Sequence, residues 1–282
     1  MTLAHVSDPH LGPEGAVAGP LTLKQRLALA RWQRHRRHIF RAEIAALTAA
    51  DIAAAAPDHL LVTGDLANAG LPAEFQAAKA WLSALGDAPL AIVPGNHDAL
   101  APGTWEAGGA TLGLSAPPYP WCRRVGPLAL IGLSSAVPTL PLLATGRLGA
   151  AQIAAAERML AETGADGLCR VVLVHHPPGA TTSRRRALGD RHALLAALSR
   201  AGAELVLYGH NHRAEQGRIG AAGILALGAP SAAADPKSGV EPAGWYAIAI
   251  TGSQGAWQAA VTLRRIGPDG RFTPGPTETH AL

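Results

Sequence analysis

Residues 90–98 read LAIVPGNHD, and this stretch decides how the rest of the chain is interpreted. An apolar run that ends abruptly in an amide, an imidazole and a carboxylate is typical of a buried strand followed by a functional turn. Ligands bind at the carboxyl ends of the strands in open α/β sheets. The stretch therefore predicts a binding site in the turn at Asn96, His97 and Asp98.

Four further apolar runs also end in side chains that can bind ligands. Helical patterns separate the first three runs, and this alternation predicts a parallel sheet with right-handed crossovers. Because the carboxyl ends of parallel strands meet at one edge, we expect the side chains that follow them to gather there. They are Asp8, His10, Asp65, Asn96, His97, His175, His210 and His212.

The chemistry of this set points to divalent metal ions. Carboxylates, imidazoles and an amide, with no cysteine, suit borderline or hard ions such as Mn, Fe, Zn, Co or Ni. With one of the eight side chains set aside for proton transfer, seven ligands remain, which are more than one tetrahedral ion can use but suffice for two ions that share a carboxylate. Two ions about 3.5–4 Å apart stabilise in-line displacement at phosphorus, and a nearby imidazole can protonate the leaving group.

Taken singly, each of these residues has an ordinary structural interpretation. Asp8 and Asp65 could be turn or cap residues after strands, and His210 and His212 could be surface histidines on a loop. The joint pattern argues against that interpretation, because seven ligand-type residues would have to follow strands in order by coincidence.

The five motifs, in this order from Asp8 to His212, are similar to those of the calcineurin-like metallophosphoesterases, of the bacterial dinuclear-metal phosphodiesterase type. The resemblance implies an α/β fold, a four-layer βαββα sandwich of two mixed sheets flanked by helices. It also implies two divalent metal ions as cofactors and a hydroxide that bridges them as the nucleophile.

The resemblance further assigns roles to individual positions. Asp8, His10 and His212 would hold one metal ion. Asn96, His175 and His210 would hold the other, and Asp65 would bridge the two. His97 would be the general acid or a transition-state stabiliser, with Asp98 orienting its ring. In the His175-His176-Pro177 motif the first histidine would be the ligand, and His176 would lie behind the ligands or face the substrate.

A basic segment precedes most of these motifs. Between Lys24 and Arg41 lie seven Lys or Arg residues and no acid, on a helix predicted over residues 22–56. Three interpretations are open. The segment could be a solvated face, it could contact an anionic membrane or an amphiphilic phosphorylated substrate, or it could bind nucleic acid. The last is disfavoured because only Trp32 and Phe40 provide interleaved aromatic rings.

A second basic run lies between two of the ligand motifs. Arg184, Arg185 and Arg186 could contact the substrate phosphate or form a solvated loop. The loops over residues 99–120 and 179–189 are expected to shape the substrate site.

Composition bounds the rest of the interpretation. With 282 residues, 48% hydrophobic and 16% charged, the chain is expected to fold as a single domain over residues 1–266. Residues 267–282, rich in Gly, Pro and Thr, are expected to be a flexible tail. Cys122 and Cys169 are too few for a disulfide framework and predict free thiols in a cytoplasmic protein. The amino terminus has no secretory signal pattern, and peripheral inner-membrane contact is left open.

The predicted function is hydrolysis of a small-molecule phosphoester, with a phosphodiester favoured. The alternative is a UDP-diacylglucosamine-type pyrophosphatase that acts on a nucleotide-linked lipid at the membrane surface, which the basic segment favours. Phosphomonoesterase and nuclease activities are further alternatives. A metal-free scaffold that binds protein partners is the alternative from another class, and a homo-oligomer is left open.

Overall fold

The computed structural model describes residues 1–13, 15, 17, 19–114, 118–179 and 183–282. Its strands are β1 Thr2–Val6, β2 His59–Val62, β3 Leu90–Ile92, β4 Trp121–Val125, β5 Leu128–Gly132, β6 Cys169–Leu173, β7 Leu205–Tyr208, β8 Glu215–Ile219, β9 Ile224–Gly228, β10 Gly244–Thr251, β11 Gln258–Ile266 and β12 Phe272–Ala281. Its α-helices are α1 Leu23–Arg34, α2 Ala42–Ala55, α3 Pro72–Ala84, α4 Thr104–Leu112, α5 Ala150–Ala165 and α6 Arg191–Ala201. Short 3₁₀ helices cover Arg36–His38 and Arg184–Arg186.

The strands form two mixed sheets. The first has the order β12-β11-β10-β1-β2-β3, in which β1, β2 and β3 are parallel and the other strands pair antiparallel. The second has the order β4-β5-β6-β7-β9-β8, with four central parallel strands and an antiparallel strand at each edge. The parallel strands therefore bring their carboxyl ends to one edge of each sheet.

Side-chain alternation explains why the two sheets stack face to face. In β1, Leu3 belongs to the core between the sheets, whereas Ala4 packs outward against α1, α2 and α3. In β6, Val171 faces the other sheet and Val172 packs under α5 and α6. Strands that are buried on both faces need helices outside them. The predicted four-layer sandwich of two mixed sheets is confirmed.

The basic segment is not one continuous helix. The helix predicted over residues 22–56 is wrong, because α1 ends at Arg34 and α2 begins only at Ala42. Between them the main chain is tied to the loop that follows β9. The N–H of Arg41 donates to the carbonyl of Ala233 at 2.9 Å, and Phe40 forms an antiparallel bridge with Ala234. These contacts with a distant segment outweigh the local helical pattern.

The carboxyl-terminal residues also differ from the expected flexible tail. Phe272–Ala281 forms β12, which pairs antiparallel with β11 along its length. A tight turn reverses the chain, with the N–H of Gly270 donating to the carbonyl of Gly267 at 3.0 Å. Most side chains of β12 are exposed, so the strand lacks the apolar alternation that would have predicted it.

The two loops expected to shape the substrate site are described in part. Helix α4 occupies the middle of the first, and Arg184–Arg186 lies in the second. Residues 115–117 and 180–182 lie outside the described residues. Cys122 and Cys169 are free thiols. Among the helices that the structure describes, none is long and apolar enough to span a membrane.

A buried carboxylate organises the connection from β2 to α3. One oxygen of Glu74, Oε2, accepts hydrogen bonds from the N–H groups of Ala69 and Leu71 at 2.8 and 2.9 Å. The residue is fully buried, and this burial raises the pKa of Glu74 to about 7 despite those bonds. The cap of α3 therefore carries a carboxyl group that stays protonated well above its ordinary range.

We predict that this carboxyl group makes the protein less stable as the pH rises. An unfolded chain releases the Glu74 proton at about pH 4.3, so between that value and about 7 the folded state binds more protons. The free energy of unfolding must therefore fall as pH rises through this window. In Glu74→Gln this contribution disappears, and urea unfolding at about pH 5 and pH 8 should show the variant gaining stability relative to wild type at the higher pH. An equal difference at both pH values would contradict the assignment.

Candidate metal centre

The turns at the carboxyl ends of the strands have an unusual backbone. Among the described residues, seven that are not glycine have positive φ, and five of them are predicted metal ligands. The five are Asp8, His10, Asp65, His210 and His212, with φ of 56°, 44°, 53°, 71° and 55°. This conformation costs roughly 1–2 kcal/mol for a residue with a Cβ atom, and such strain is concentrated at functional sites. Here it accompanies the inward placement of these side chains.

Glycines next to these residues leave room for the carboxylates. A Cβ atom on Gly95 would lie 2.1 Å from Oδ1 of Asp65, and one on Gly209 would lie 2.4 Å from Oδ2 of Asp8. Both distances are far below van der Waals contact. The glycines that precede Asn96 and His210 are therefore required by the close approach of neighbouring turns.

Four of the gathered side chains form a first cluster. Asp8, His10, Asp65 and His212 each offer an atom within 4.8 Å of the others. The Nε2 atoms of His10 and His212 are 2.8 Å apart, and Nε2 of His212 lies 3.2 Å from Oδ1 of Asp8. Nε2 of His10 lies 3.7 Å from Oδ2 of Asp65.

A second cluster shares Asp65 with the first. It consists of Asp65, His175 and His210. Nε2 of His175 is 3.4 Å from Oδ2 of Asp65 and 3.3 Å from both Nδ1 of His210 and Oδ1 of Asn96. Six of the seven predicted ligands therefore lie in two adjoining clusters with one carboxylate in common, and the seventh, Asn96, lies next to the second cluster.

The atoms that converge in these clusters are mainly acceptors, and this is the property that fits cations. Nδ1 of His175 donates to the carbonyl of Thr63 at 2.6 Å, so in the neutral imidazole the Nε2 lone pair faces the oxygens of Asp65 and Asn96. Oδ1 of Asp8 is buried without a hydrogen-bond partner. Burial lowers the pKa of His175, but the charge and hydrogen bond of Asp65, together with the charge of Asp8 and the Thr63 carbonyl, raise it to about 9. The buried acceptor atoms therefore favour a cation at this site, and these ligand types suit two divalent ions.

His97 lies at the edge of the first cluster and faces the solvent-connected cavity. The ring centroid of His97 is 4.8 Å from that of His10, and the main-chain N–H of His97 donates to Oδ1 of Asp65 at 2.7 Å. Nδ1 donates to the carbonyl of Asn68, and Nε2 accepts from Nη1 of Arg36 at 3.2 Å. Burial and then Arg36 lower the pKa of His97 to about 4. The imidazole is therefore neutral at pH 7.

Asp98 does not make the contact expected of it. Oδ1 accepts from the N–H of Ala67 and Oδ2 accepts from the N–H of Gly95, both at 2.9 Å. The expectation that Asp98 orients the His97 ring is wrong, because its carboxylate is taken up by main-chain amides of two turns. The carbonyl of Asn68 orients the ring instead. Burial and the charge of Asp65 raise the pKa of Asp98 to about 7.

His176 lies behind the ligands and does not face the cavity. It is fully buried, with Nδ1 2.8 Å from Oγ of Ser135 and Nε2 3.1 Å from the carbonyl of Ala144. Its ring packs 4.4 Å from that of His210. Of the two predicted positions for His176, the structure therefore has the one that supports a ligand, and the substrate-facing alternative is wrong.

The three consecutive arginines point in different directions. Arg186 lines the cavity and donates from Nη2 to the carbonyl of His210 at 2.6 Å. Arg184 and Arg185 are exposed and are not among the lining residues. Successive side chains of a 3₁₀ helix diverge by about 120° because it has three residues per turn. The expected substrate contact is therefore retained only for Arg186.

A cavity of about 710 Å³ opens over the two clusters. Helix α1 and the turn after it form one wall, to which Lys24, Arg31 and Arg36 contribute. The basic segment is thus part of the cavity rather than a separate surface.

Three residues of the site were missed by sequence reasoning. Arg36 and Asn68 both bond to His97, and Phe40 packs its ring 4.9 Å from that of His10 and 5.1 Å from that of His212. Arg36 and Phe40 lie in the basic segment, but the spacing of the residues in that segment does not indicate which of its Lys and Arg side chains points into the site. Asn68 acts through its main-chain carbonyl, which no side-chain pattern reveals.

The sequence profile of the calcineurin-like phosphoesterases matches residues 1–214, and the chain belongs to this family. It is 28% identical over 269 residues to a probable cyclic nucleotide phosphodiesterase of Synechococcus, covering 93% of this chain and 91% of that protein. A 42-residue stretch, 15% of each chain, is 50% identical to the glycerophosphodiester phosphodiesterase GpdQ of Enterobacter lignolyticus.

Solved structures support the same fold. A dimetal phosphatase from Danio rerio superposes with a TM-score of 0.68 at 10% identity, over 94% of this chain and 96% of that one. A purple acid phosphatase from yellow lupin superposes with a TM-score of 0.65 at 12% identity, over 99% of this chain and 53% of that one. Family, fold and clusters together define a metal-dependent phosphoester hydrolase with two divalent metal ions.

We predict that Gly95→Ala lowers metal binding, because the added Cβ would overlap the Asp65 carboxylate. After reconstitution with Mn, elemental analysis should find one ion or fewer per chain, with folding intact by circular dichroism. Gly109→Ala is the matched control, since a Cβ on this α4 glycine meets nothing within 4 Å. Full metal occupancy in Gly95→Ala would show that Asp65 is not held at this distance in solution.

Proposed function

We propose that this site hydrolyses phosphodiester bonds in a small-molecule substrate. The observation that carries the proposal is the pair of acceptor clusters that share Asp65 beneath an open cavity. In this proposal Asp8, His10 and His212 hold one ion, Asn96, His175 and His210 hold the other, and Asp65 contacts both. Both sequence relatives are phosphodiesterases, one of them a probable one, and this supports a diester over a monoester.

When bound, two divalent ions supply an activated water and neutralise charge on the phosphoryl oxygens. The protein's own contribution is to position and polarise. His97 faces the cavity with its proton on Nδ1, where Asn68 accepts it, so Nε2 carries no proton for a leaving group. This arrangement favours His97 as a transition-state stabiliser over a general acid.

The first test compares bis(p-nitrophenyl) phosphate with p-nitrophenyl phosphate on the Mn-reconstituted protein. We expect the diester to be hydrolysed with the higher kcat/KM. Asp65→Ala and Asn96→Ala should lower both bound Mn and diester turnover, the latter by more than about a hundredfold, because each removes an acceptor from the clusters. Asp87→Ala, a change at an exposed carboxylate away from the site, is the control. Preference for the monoester would indicate a phosphatase, and unchanged Mn content in Asp65→Ala would refute the site.

A second candidate substrate class, an amphiphilic phosphoester, is favoured by the surface around the cavity. Six large apolar side chains are exposed among the described residues, and five surround this cavity or adjoin its lining. We call these five the apolar rim, and they are Leu23, Leu27, Leu140, Leu142 and Val240. Leu142 is 83% exposed. Lys24 donates a hydrogen bond to Thr139, and this contact joins the segment with Leu23 and Leu27 to the segment with Leu140 and Leu142. Exposed apolar patches of this kind mark ligand or membrane contacts.

Cations lie beside the apolar rim. Lys24, Arg31 and Arg213 line the same cavity as Leu27 and Leu142. A phosphoester with a long apolar chain would place its charge near these cations and its chain on the rim. The nucleotide-linked lipid of the alternative function belongs to this class, and contact with an anionic membrane would use the same residues.

We predict that lengthening the alkyl group separates the two candidates. In methyl, butyl and octyl p-nitrophenyl phosphate below their micelle concentrations, an amphiphilic site should raise kcat/KM with chain length, by at most about fourfold per methylene. The double variant Leu27→Ser/Leu142→Ser should lose that rise and keep the methyl ester rate. Leu47→Ser is the control, because Leu47 is 42% exposed but lies outside the rim. If kcat/KM of the wild type did not change with alkyl chain length, the amphiphilic substrate class would be excluded and the water-soluble diester would remain.

A further inference from the structure

Arg36 carries a guanidinium group whose hydrogen bonds are incomplete. Nη1 donates to Nε2 of His97, while Nε and Nη2 are buried with no hydrogen-bond partner. Within the described ranges, no Asp or Glu forms an ion pair with it. Elsewhere in the chain, Arg264 pairs with Asp51 and Arg170 pairs with Glu204.

Leaving two buried N–H groups of a cation unpaired is energetically unfavourable. A charged donor that loses water without gaining an acceptor keeps its full desolvation cost. Arg36 lines the cavity, and an anionic acceptor that reached these nitrogens from there would recover this energy. The unpaired groups therefore identify a site for an anion.

The position of Arg36 identifies which anion. The guanidinium lies over the ring of Phe40 at 4.8 Å, and that ring packs against the His10 and His212 rings of the first cluster. Arg36, Asp65 and His97 line one cavity. An anion held by Arg36 would therefore lie beside the first cluster and beside His97.

The two unpaired nitrogens also have the right geometry. Nε and Nη2 form the side-on edge of a guanidinium, whose two parallel N–H groups match two oxygens of one phosphate. Nη1 is on the other side of the group and is already committed to His97. One side chain can therefore hold the phosphate and the imidazole at once.

We propose that Arg36 binds the phosphoryl oxygens of the substrate and of inorganic phosphate through Nε and Nη2, beside the first cluster. This rests on the proposed function for the identity of the substrate. The proposal also distinguishes Arg36 from its neighbours in the basic segment. Arg34 and Arg37 are exposed, and Arg37 donates to Gln33. Of these three arginines, only Arg36 lines the cavity.

The test measures the inhibition constant of inorganic phosphate against bis(p-nitrophenyl) phosphate with the Mn-loaded full chain. We expect Arg36→Gln to raise this constant about ten- to a hundredfold and to remove the phosphate-dependent rise in Tm. Arg36→Lys keeps the charge but lacks the fork, so its constant should fall between the two. Arg34→Gln removes the same charge from an exposed position and should match wild type.

Two results would overturn the proposal. If Arg36→Gln lowers kcat while the phosphate constant stays the same, Arg36 acts only by positioning His97. If Arg36→Lys, which retains the cation, binds phosphate as tightly as wild type, the fork is not used. Failure of the proposed function would look different. Wild type would then not hydrolyse the diester, while the rise in Tm caused by phosphate would still depend on Arg36.

Discussion

The carboxylate of Asp65 is the one group on which the rest of the site depends. Its Oδ1 accepts the N–H of His97, which holds the turn after β3, and its Oδ2 faces His10 in one cluster and His175 in the other. A single side chain thereby sets the separation of the two clusters. It reaches this position because Asp65 has a left-handed backbone and because Gly95, opposite, has no Cβ to obstruct it.

The site also joins the two sheets. Nδ1 of His175, at the end of β6 in the second sheet, donates to the carbonyl of Thr63 after β2 in the first. The N–H of His210 donates to Oδ2 of Asp8 at 2.9 Å, which makes a second link between the sheets. Strained turns and buried acceptors at such a junction lower stability unless something compensates them. Cations that bind there would stabilise the fold as well as supply the chemistry.

The wall of the cavity follows from a conflict between local and distant interactions. The sequence from Thr22 onward favours one long helix, but pairing of Phe40 with Ala234 interrupts it. The interruption brings Arg36 and Phe40 to the first cluster. In a continuous helix the residues of the basic segment would instead keep helical spacing. Local propensity gives way because main-chain hydrogen bonds to another segment satisfy the groups that a helix would have used.

The sequence by itself determined the strands that end in ligand residues and the set of side chains that gather at their carboxyl ends, because both depend on apolar periodicity and on residues adjacent to strand ends, which are local in the chain. The sandwich was implied by the resemblance of the five motifs to a known family. The partners of Asp98, His176 and Arg36 were decided only by the tertiary structure, because they come from Ala67, Ser135 and His97 on other segments. For the same reason β12 could be identified as a strand only from its pairing with β11. A hydrogen bond depends on where two groups meet in space, and a pattern along the chain records only one of them.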